Sequence, residues 1–518
     1  MKKFKSVIAA ALAVTMVLTM TACDEEVPGP GGNSGSTPTQ SGGAPAQNSS
    51  TGGESSSSTG SVATASSSFE DKDVQDAVKN LKDQLEEPEM TVDTRLKWLA
   101  WYSIDETTPA AELFKEVYGI PANGQDDSAA GQIFEWMNVS YENRYDRLAT
   151  LIQGDESPDF FPFEGADFPY GILMNRYQPV TDLFDFSSDK WKASKDMMEQ
   201  FKLNGQYYCA FWEITLGQLM WYRKSVIDTA GLDDPQELFA QGKWDWDTYL
   251  DMARAFQNTG TTEEPKYISD GFGAEDNFML STGVPMISSV DGKLQSNLHD
   301  ANYERGINFL NTMREEHMVY PRHEVNNWNP NYRAWTSGNT LFFCNGIWDY
   351  ESNFQKFKTA YKWADDEIKV VPFPKDPKAD KHYVQLKQDS FMWVKGSTNR
   401  NGVKAWIDCS ATAAMDPATT EAAKTRMINN PSQNWTRELL DFLFPLYKLD
   451  GSSPVTAIVE FKTGLGPSVY DSQSGESPVN CLVGYPYLTG AETFVTLRET
   501  NEPIINSAID EINAKIQG

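Results

Sequence analysis

The stretch TRLKWLAWYS at 94–103, followed by AAELFKEV at 110–117, sets the fold class of this chain. The first run is apolar enough for a buried strand around Trp98, and the second has the three- and four-residue spacing of a helix with one apolar face. The same order returns in an apolar run at 133–139 and a helical stretch at 141–152. Alternating strands and helices predict an α/β fold with a mainly parallel sheet, whose binding loops follow the carboxyl ends of the strands.

The first 22 residues have the parts of an export signal. Lysines at positions 2, 3 and 5 precede an apolar run at 7–20 that is short for a transmembrane helix, and Thr21 and Ala22 lead into Cys23. This end resembles a bacterial lipobox, with Met20 in place of the usual leucine. The resemblance implies cleavage before Cys23 and a diacylglycerol on its thiol. We therefore expect 1–22 to be a lipoprotein signal peptide, with an uncleaved apolar anchor as the alternative. The mature protein would be lipid-anchored in the cell membrane, facing the extracellular side of a Gram-positive type of cell.

Two further segments separate this signal from the folded part. Residues 23–68 consist almost entirely of Pro, Gly, Ser, Thr, Ala, Gln and Asn, which predicts a flexible linker that tethers the protein to the membrane. Residues 69–90 are predicted to contain an added N-terminal helix, because apolar residues recur there at helical spacing. These residues are Val74, Val78, Leu81 and Leu85.

Length and composition predict a folded protein with more than one core. Residues 91–518 exceed what a single hydrophobic core normally serves, so two lobes are expected. Hydrophobic residues make up 40% of the chain and aromatic residues 12%, which leaves rings for a binding surface. The 73 acidic and 44 basic residues give a net charge of −29, which argues against a nucleic acid as partner. We expect a monomer.

Cysteine and histidine patterns indicate neither a metal site nor a catalytic centre. Cys209, Cys344, Cys409 and Cys481 are far apart and form no C-x-x-C pair, so two disulfides and buried free thiols are both open. The 4 histidines have no metal-binding spacing. We expect no metal, no cofactor and no catalytic residues, and thus not an enzyme.

Several short motifs resemble, in the same order, those of the family 1 extracellular solute-binding proteins, which include the maltose-binding proteins. The most specific is GKWDWD at 242–247, which is similar to the start of a helix in that family. The others are GDESPDFF at 154–161, YQPV at 177–180, NGQYY at 204–208, WYRK at 221–224, AGL at 230–232, WTSGN at 335–339, NGIW at 345–348 and VVPFP at 370–374.

The resemblance implies a periplasmic-binding-protein-like clamp of type II, in which two α/β lobes enclose a ligand cleft. Lobe 1 would take about 91–213 and 366–410, and lobe 2 about 221–345 and much of 411–518. Hinge closure would capture a small-molecule solute and present it to the permease subunits of an ABC transporter.

Capture of a carbohydrate needs flat rings against the apolar face of a pyranose and carboxylates that accept its hydroxyl hydrogens. The predicted ligand-binding residues are Trp101, Tyr102, Phe163, Glu164, Asp167, Trp212, Glu213, Trp348, Asp349, Tyr350 and Tyr485. Trp348 is the strongest candidate, because the tryptophan of that family motif commonly stacks on sugar. Tyr485 is expected in a loop that begins at Gly484. The leading solute class is an oligosaccharide, although rings and carboxylates would equally suit a cationic ligand.

Other interpretations fit parts of the pattern. The pairs Glu164 with Asp167 and Asp349 with Glu351 could serve a secreted carbohydrate-active hydrolase, if their carboxyls stand roughly 5 to 9.5 Å apart across a bond. A sensory or adhesive carbohydrate-binding domain would have the same clamp without a transporter. A tryptophan at the end of a strand also packs in a core more often than it carries a ligand.

Overall fold

The computed structural model describes residues 72–121, 132–213, 215–326, 328–387, 390–430, 435–448, 451–471, 477–490 and 492–516. The expected signal peptide, linker and lipidated Cys23 lie outside the described residues. The strands are β1 Leu96–Ala100, β2 Phe134–Asn138, β3 Phe160–Pro162, β4 Lys202–Leu203, β5 Gln206–Tyr207, β6 Thr215–Leu216, β7 Leu219–Arg223, β8 Tyr267–Gly271, β9 Ile287–Val290, β10 Lys293–Ser296, β11 Thr340–Asn345, β12 Ile368–Val371, β13 Tyr383–Lys387, β14 Phe391–Trp393 and β15 Thr456–Ile458.

The α-helices are α1 Lys72–Val78, α2 Pro109–Tyr118, α3 Arg144–Gln153, α4 Tyr170–Leu173, α5 Lys195–Gln200, α6 Lys224–Ala230, α7 Pro235–Ala240, α8 Trp246–Gln257, α9 Ala274–Leu280, α10 Ala301–Glu315, α11 Arg322–Val325, α12 Tyr332–Thr336, α13 Ile347–Asp349, α14 Gln355–Tyr361, α15 Arg400–Met415, α16 Pro417–Asn429, α17 Arg437–Leu443, α18 Asn480–Thr489 and α19 Phe494–Ile516. Short 3₁₀ turns lie at Lys82–Gln84, Gly165–Asp167, Thr181–Leu183, Asp189–Ser194, Phe444–Tyr447 and Lys462–Leu465, and a π turn lies at Tyr350–Phe354.

Lobe 1 is built on a sheet of order β14-β3-β1-β2. β1 pairs in parallel with β2 and β3, and β14 runs antiparallel to β3. The strand and helix predicted at 94–103 and 110–117 are confirmed as β1 and α2, and Trp98 is fully buried. Thr108 caps α2 by accepting a hydrogen bond from the backbone N–H of Ala111, which fixes the helix start near the carboxyl end of β1.

Lobe 2 is built on a second sheet, of order β12-β7-β11-β8. This sheet is mixed, because β7 runs antiparallel to β11 and β12 whereas β8 runs parallel to β11. All residues of β11 are buried, as expected for a central strand. The carboxyl ends of β8 and β11 lie at one edge of the sheet, where the loops that follow them can form a common surface.

The boundaries between the lobes differ from those expected. Residues 366–371 do not begin the return to lobe 1, because β12 pairs with β7 and buries Val370 and Val371 on the lobe 2 sheet. The chain re-enters the lobe 1 sheet only at β14. It then stays in lobe 1 beyond residue 410, since α16 packs on α1, α2 and α15. Lobe 2 resumes at α17, whose leucines share a core cluster with Trp221 of β7.

The strands that cross between the lobes pair with each other. β6 runs antiparallel to β13, with Leu216 opposite Leu386, and β15 is added in parallel on the other side of β13. Paired strands that connect two lobes in this way allow hinge rotation.

A further segment, residues 459–470, links the lobes and is called the strap here. On the lobe 2 side, the Glu460 carboxylate accepts hydrogen bonds from two backbone N–H groups at the start of β9, at 2.7 and 3.0 Å. On the lobe 1 side, the ring of Phe461 packs on Phe168 and Phe201, with centroids 5.8 and 5.3 Å apart. The strap therefore has contacts with both lobes outside the crossing strands.

The helix predicted within 69–90 is present as α1 and the 3₁₀ turn that follows it. Its predicted apolar residues are buried, and α1 packs on α2 and α16. Lys404 of α15 pairs with Glu87 at 2.6 Å, and Asp408 accepts a hydrogen bond from the backbone N–H of Glu86 at 2.7 Å. This segment is therefore an integral layer of lobe 1.

The four cysteines after Cys23 are free thiols, which decides between the two alternatives left by the sequence. Burial raises the pKa of the Cys344 and Cys409 thiols well above the usual range, so both stay protonated. Within the described ranges, none of the helices has the length and apolar character needed to cross a membrane.

Candidate ligand-binding cleft

Aromatic rings follow the first two strands of lobe 1, at the carboxyl edge of its sheet. Trp101 and Tyr102 come directly after β1, and their ring centroids lie 5.3 Å apart with an edge-to-face orientation. Trp101 also meets Tyr141, which follows β2, at 5.0 Å. Tyr102 is 45% exposed and rests on Trp98 at 5.5 Å. Trp101, Tyr102 and Tyr141 are called the aromatic ridge, because their mutual contacts hold the rings as one platform.

A largely buried ion pair supports this ridge. The Arg144 Nε of α3 lies 2.6 Å from Glu164 Oε2, and the two side chains are only 8% and 18% exposed. The Arg144 guanidinium lies over the Tyr141 ring, 3.6 Å from its centroid, and Tyr145 donates its hydroxyl to Glu164 at 2.7 Å. The two charges therefore cancel each other beneath the ridge. Glu164 is one of the predicted site residues, whereas Arg144 is not, although tyrosines at 141 and 145 flank it.

Two other predicted residues of the loop after β3 point into lobe 1. Asp167 is fully buried and accepts hydrogen bonds from the Tyr177 hydroxyl and, at 3.0 Å, from the backbone N–H of Glu164. Burial raises the pKa of Asp167 to about 8, so this carboxyl is largely protonated at pH 7. Phe163 is 7% exposed and packs on Phe211. In this structure both residues shape the loop and present Glu164.

Beside the ion pair lies a cavity of about 510 Å³ between lobe 1 and the strap, called the polar compartment. Lobe 1 contributes the charged and phenolic side chains of α3 together with Glu164, Tyr170 and Arg176. The strap contributes Thr463 and Tyr470. No family motif covers the strap, so these two lining residues could not be found from the sequence.

A second cavity of about 590 Å³, the apolar compartment, lies beside the crossing strands. The structure places the predicted residues Trp212 and Glu213 in its wall, together with parts of α2, α15 and α16 and the turn Phe444–Tyr447 of lobe 2. Trp212 stacks on Phe391 with centroids 6.2 Å apart, and Phe391 meets Trp98 at 5.5 Å. Through Trp98, which is fully buried, this chain of ring contacts reaches Tyr102 of the aromatic ridge, and Tyr141 of the ridge lines the polar compartment.

Lobe 2 presents two exposed rings at the carboxyl edge of its sheet. Trp348 follows β11 and is 46% exposed, and Phe272 follows β8 and is 45% exposed. The indole of Trp348 lies against Gly346, where a Cβ would come within 1.5 Å of the ring, so a larger residue there would displace the indole. The side chains that line the two compartments do not include these rings. Trp348 is one of the predicted site residues, whereas Phe272 is not.

The two predicted residues that follow the exposed tryptophan are core residues in this structure. Asp349 and Tyr350 are each 1% exposed. Asp349 accepts hydrogen bonds from the side-chain amides of Asn345 and Asn353, both at 2.8 Å, and burial raises its pKa. Tyr350 stacks on Trp221, with centroids 5.3 Å apart and planes 18° apart. Asp349 thus fastens the turn after β11, and Tyr350 fills the core beneath it.

The loop expected to begin at Gly484 is a helix. Residues 480–489 form α18 with Pro486 inside it, and the helix ends at Gly490, whose φ of 61° is left-handed. Packing against α9, α10 and α19 buries the apolar residues of α18 and outweighs the breaking tendency of glycine and proline. The side chain of Tyr485 lies outside the described part of the structure.

Neither acidic pair considered for hydrolysis forms an open catalytic pair. Glu164 is held by Arg144 while Asp167 is buried, and Asp349 is buried while Glu351 accepts the indole N–H of Trp435 at 3.1 Å. A glycosidase needs two carboxyls that both reach the scissile bond. In the described ranges, no group of three or more His, Cys, Asp or Glu side chains could hold a metal ion.

The family model of the bacterial extracellular solute-binding proteins matches residues 134–416. The chain belongs to this family. The resemblance found in the sequence motifs and the α/β clamp fold that it implied are thereby confirmed, with two sheets that each form the centre of one lobe. No curated protein sequence matches the chain.

Solved structures of similar fold include the GacH receptor of Streptomyces glaucescens, studied unliganded and with acarbose, at 15% identity and a TM-score of 0.53 over 80% of this chain and 98% of that one. The sugar-binding protein MalE of Xanthomonas citri is 14% identical, with a TM-score of 0.53 over 81% and 98% of the chains. The cyclic α-maltosyl-1,6-maltose binding protein of Arthrobacter globiformis is 13% identical, with a TM-score of 0.54 over 81% and 99%. At such identities the likeness establishes the fold alone.

Proposed function

We propose that this solute-binding protein is the lipid-anchored receptor of an ABC-type importer, which captures an oligosaccharide between its lobes and delivers it to the permease subunits. The observation that carries the proposal is an aromatic ridge on lobe 1 together with two compartments, one lined by residues of both lobes and the other by lobe 1 and the strap. The protein binds its solute without chemical change and acts as a monomer.

The chemistry of the cleft suits a sugar. Ring faces can cover the apolar face of a pyranose, while carboxylate, hydroxyl and guanidinium groups exchange hydrogen bonds with its hydroxyls. Trp101, Tyr102 and Trp212 would supply faces, and Glu164 and Glu213 would accept hydroxyl hydrogens. A sugar-binding protein and a cyclic α-maltosyl-1,6-maltose binding protein are among the structures of similar fold, which supports the same ligand class here.

The two compartments favour an extended ligand. Each one, at about 510 and 590 Å³, lies within the range of about 300–1,000 Å³ that is typical of small-molecule sites. In the proposal, one ligand occupies both compartments and contacts rings of the aromatic ridge. An oligosaccharide of several units has this shape, whereas a single sugar would fill only one compartment.

Closure would complete the site. The rings of Trp348 and Phe272 stand at the carboxyl edge of the lobe 2 sheet and are exposed. In the proposal, rotation about the crossing strands brings them onto a ligand that already lies on the ridge. The ligand favours the closed form because only there do both lobes contact it, and the permease recognises that form.

A binding screen tests the proposal. The detergent-solubilised full chain is heated with neutral and acidic oligosaccharides, polyamines and peptides. A true ligand at 100 times its Kd stabilises the native state by about 2.7 kcal/mol. With roughly 0.9 kcal/mol per degree for a folded part of this size, the melting temperature rises by about 3 °C. Stabilisation by polyamines or peptides but not by glycans, or a glycan that is cleaved during incubation, would overturn the proposed function.

Lipid anchoring has its own test. Cells that express the wild-type chain are compared with Cys23→Ala and with Cys481→Ala, which removes another cysteine that lies far from the signal. We expect the wild type and Cys481→Ala to incorporate labelled fatty acid and to sediment with membranes. Cys23→Ala should incorporate none. Equal labelling of all three chains would refute anchoring through Cys23.

A further inference from the structure

Arg176 lines the polar compartment and forms no ion pair with any of the described residues. Its side chain is half-buried and lines the cavity. The guanidinium lies over the rings of Tyr145 and Tyr170, 4.8 and 6.0 Å from their centroids. Its backbone oxygen accepts a hydrogen bond from the N–H of Lys395 at 2.8 Å, which fixes the residue beside β14. Among the described residues, no oxygen atom accepts a hydrogen bond from this guanidinium.

A guanidinium in this setting is suited to an external acceptor. It has five N–H donors in a planar fork that matches the two oxygens of a carboxylate. Ring faces stabilise the cation and restrict its rotation, but they accept none of its hydrogen bonds in the plane of the fork. An anion that reaches the compartment would form charge-assisted hydrogen bonds without displacing an internal partner.

The neighbouring carboxyls do not neutralise Arg176. Glu164 is paired with Arg144 and also accepts the hydroxyl of Tyr145. Asp167 accepts the hydroxyl of a buried tyrosine, and burial raises its pKa to about 8, so it is largely neutral at pH 7. The inner wall thus carries two cations and one anion. The remaining acids that line the compartment are exposed at its rim, where water screens them, and these are Glu142, Asp146 and Asp471.

We infer that the polar compartment binds a carboxylate of the solute through Arg176, so that the captured glycan is acidic and carries a uronic-acid unit at this end. The inference rests on the proposed carbohydrate-binding function and narrows its solute class. A sulfate ester on a sugar would offer the same negative charge. The planar fork fits the two oxygens of a carboxylate in a bidentate way, which favours the uronic acid.

The test compares matched glycans on the full chain in detergent. The panel contains oligogalacturonates and oligoglucuronates, their carboxyl-reduced neutral counterparts, and sulfated counterparts of the neutral chains. We measure affinities by calorimetry for the wild type, Arg176→Met, Arg176→Lys and Arg147→Met. The Met variant keeps most of the apolar stem on the tyrosine rings, and Arg147 is an exposed arginine of α3 outside the compartment, which makes it the control.

We expect a uronate chain to bind, and its neutral counterpart to bind about 10- to 100-fold more weakly, which is the loss of one charge-assisted interaction. Arg176→Met should lose the same factor for the uronate and nothing for the neutral chain, Arg176→Lys should lose less, and Arg147→Met should match the wild type. Neutral or sulfated chains that bind best, or a uronate that binds Arg176→Met as well as wild type, would overturn the inference while the receptor function stands. If no glycan of any class binds, the proposed function itself falls, and the inference with it.

Discussion

Replacement of Arg144 by methionine gives the sharpest test of the site as described. The variant removes the partner of Glu164, whose carboxylate is 18% exposed, and leaves it with the hydroxyl of Tyr145 at 2.7 Å. It also removes the cation from the face of Tyr141, 3.6 Å away. Methionine can retain the apolar contacts of the arginine stem, so the loss reports mainly on charge.

The expected loss in free energy of unfolding follows from the burial of this ion pair. Breaking a buried ion pair by removing one partner costs about 3–5 kcal/mol, because the remaining charge is left uncompensated. Glu164 keeps the hydrogen bond from Tyr145 and some contact with water, so we take the lower end, about 3 kcal/mol. Glu164→Gln retains an acceptor for Arg144 and should cost about 1–2 kcal/mol. The double variant, Arg144→Met with Glu164→Gln, has no stranded charge and should cost about 2 kcal/mol less than the sum of the two.

Thermal unfolding followed by circular dichroism measures these differences. Roughly 450 folded residues at about 2.1 cal/mol/K each give about 0.9 kcal/mol per degree, so Arg144→Met should melt about 3 °C lower than the wild type. Arg147→Met, on the exposed face of the same helix, is the matched control and should change little. If Arg144→Met melts with the control, or if the two single losses simply add in the double variant, the reasoning about this ion pair is refuted.

Three further changes probe other parts of the molecule. Trp348→Ala should weaken glycan binding about 10-fold or more, as measured by calorimetry, because stacking of the ring on the ligand is worth about 1.4 kcal/mol or more. The melting temperature should change little, because the ring is exposed. Tyr361→Ala, which changes another exposed ring of lobe 2, is the control, and equal affinities of the two variants would exclude Trp348 from the site. Asp167 has a folded-state pKa of about 8, above the unfolded value of about 3.9, so its protonated form contributes stability below about pH 4 that is lost as the pH rises to about 8. Asp167→Asn should therefore flatten the fall of the melting temperature between pH 5 and 8, and an unchanged slope would contradict this. Gly464→Ala would bring a Cβ to 1.9 Å from a backbone carbonyl oxygen of lobe 1, so it should displace the strap and lower the free energy of unfolding by about 1–3 kcal/mol. We expect a lower melting temperature and faster cleavage by trypsin after Lys462. Gly154→Ala, where a Cβ would make only ordinary contacts, is the control and should be near neutral, and equal behaviour of the two variants would argue against docking of the strap on lobe 1.

The local elements of lobe 1 were predictable because their signal is local. The alternation of apolar residues in 94–103 and 110–117 is set by burial on one sheet and one helix face, so β1 and α2 were found with ends displaced by a few residues. The assignment of residues 366–371 to lobe 1 was wrong, because the choice of sheet depends on contacts with residues far away in the sequence. An apolar run such as IKVV has the same pattern whichever sheet it joins, and only its pairing with β7 decides.

For the site, the position of a residue directly after a strand was a useful signal of its place near the cleft. The direction in which its side chain points could not be predicted from the sequence. Trp101 and Glu164 both follow strands of the lobe 1 sheet, and Glu164 lines the polar compartment. Asp167, only three residues beyond Glu164, turns inward because the 3₁₀ turn Gly165–Asp167 brings its carboxylate back onto the backbone of Glu164. The same happens after β11, where Asp349 fastens the turn that leaves its tryptophan neighbour exposed. Short polar side chains that satisfy turn backbone and those that meet a ligand look alike in sequence.

The strap also decides how this clamp can move. Phe461 donates its backbone N–H to Ile287 of lobe 2 at 3.1 Å while its ring is buried against Phe168 and Phe201 of lobe 1, so one residue holds both lobes. A rotation that kept these contacts would have to pass its axis close to the strap and the crossing strands β6 and β13. Displacement in a rigid rotation grows with distance from the axis. The strap wall of the polar compartment would then move little on closure. The acidic end of the ligand would meet a nearly preformed wall, and the exposed rings of lobe 2 would close over the remainder.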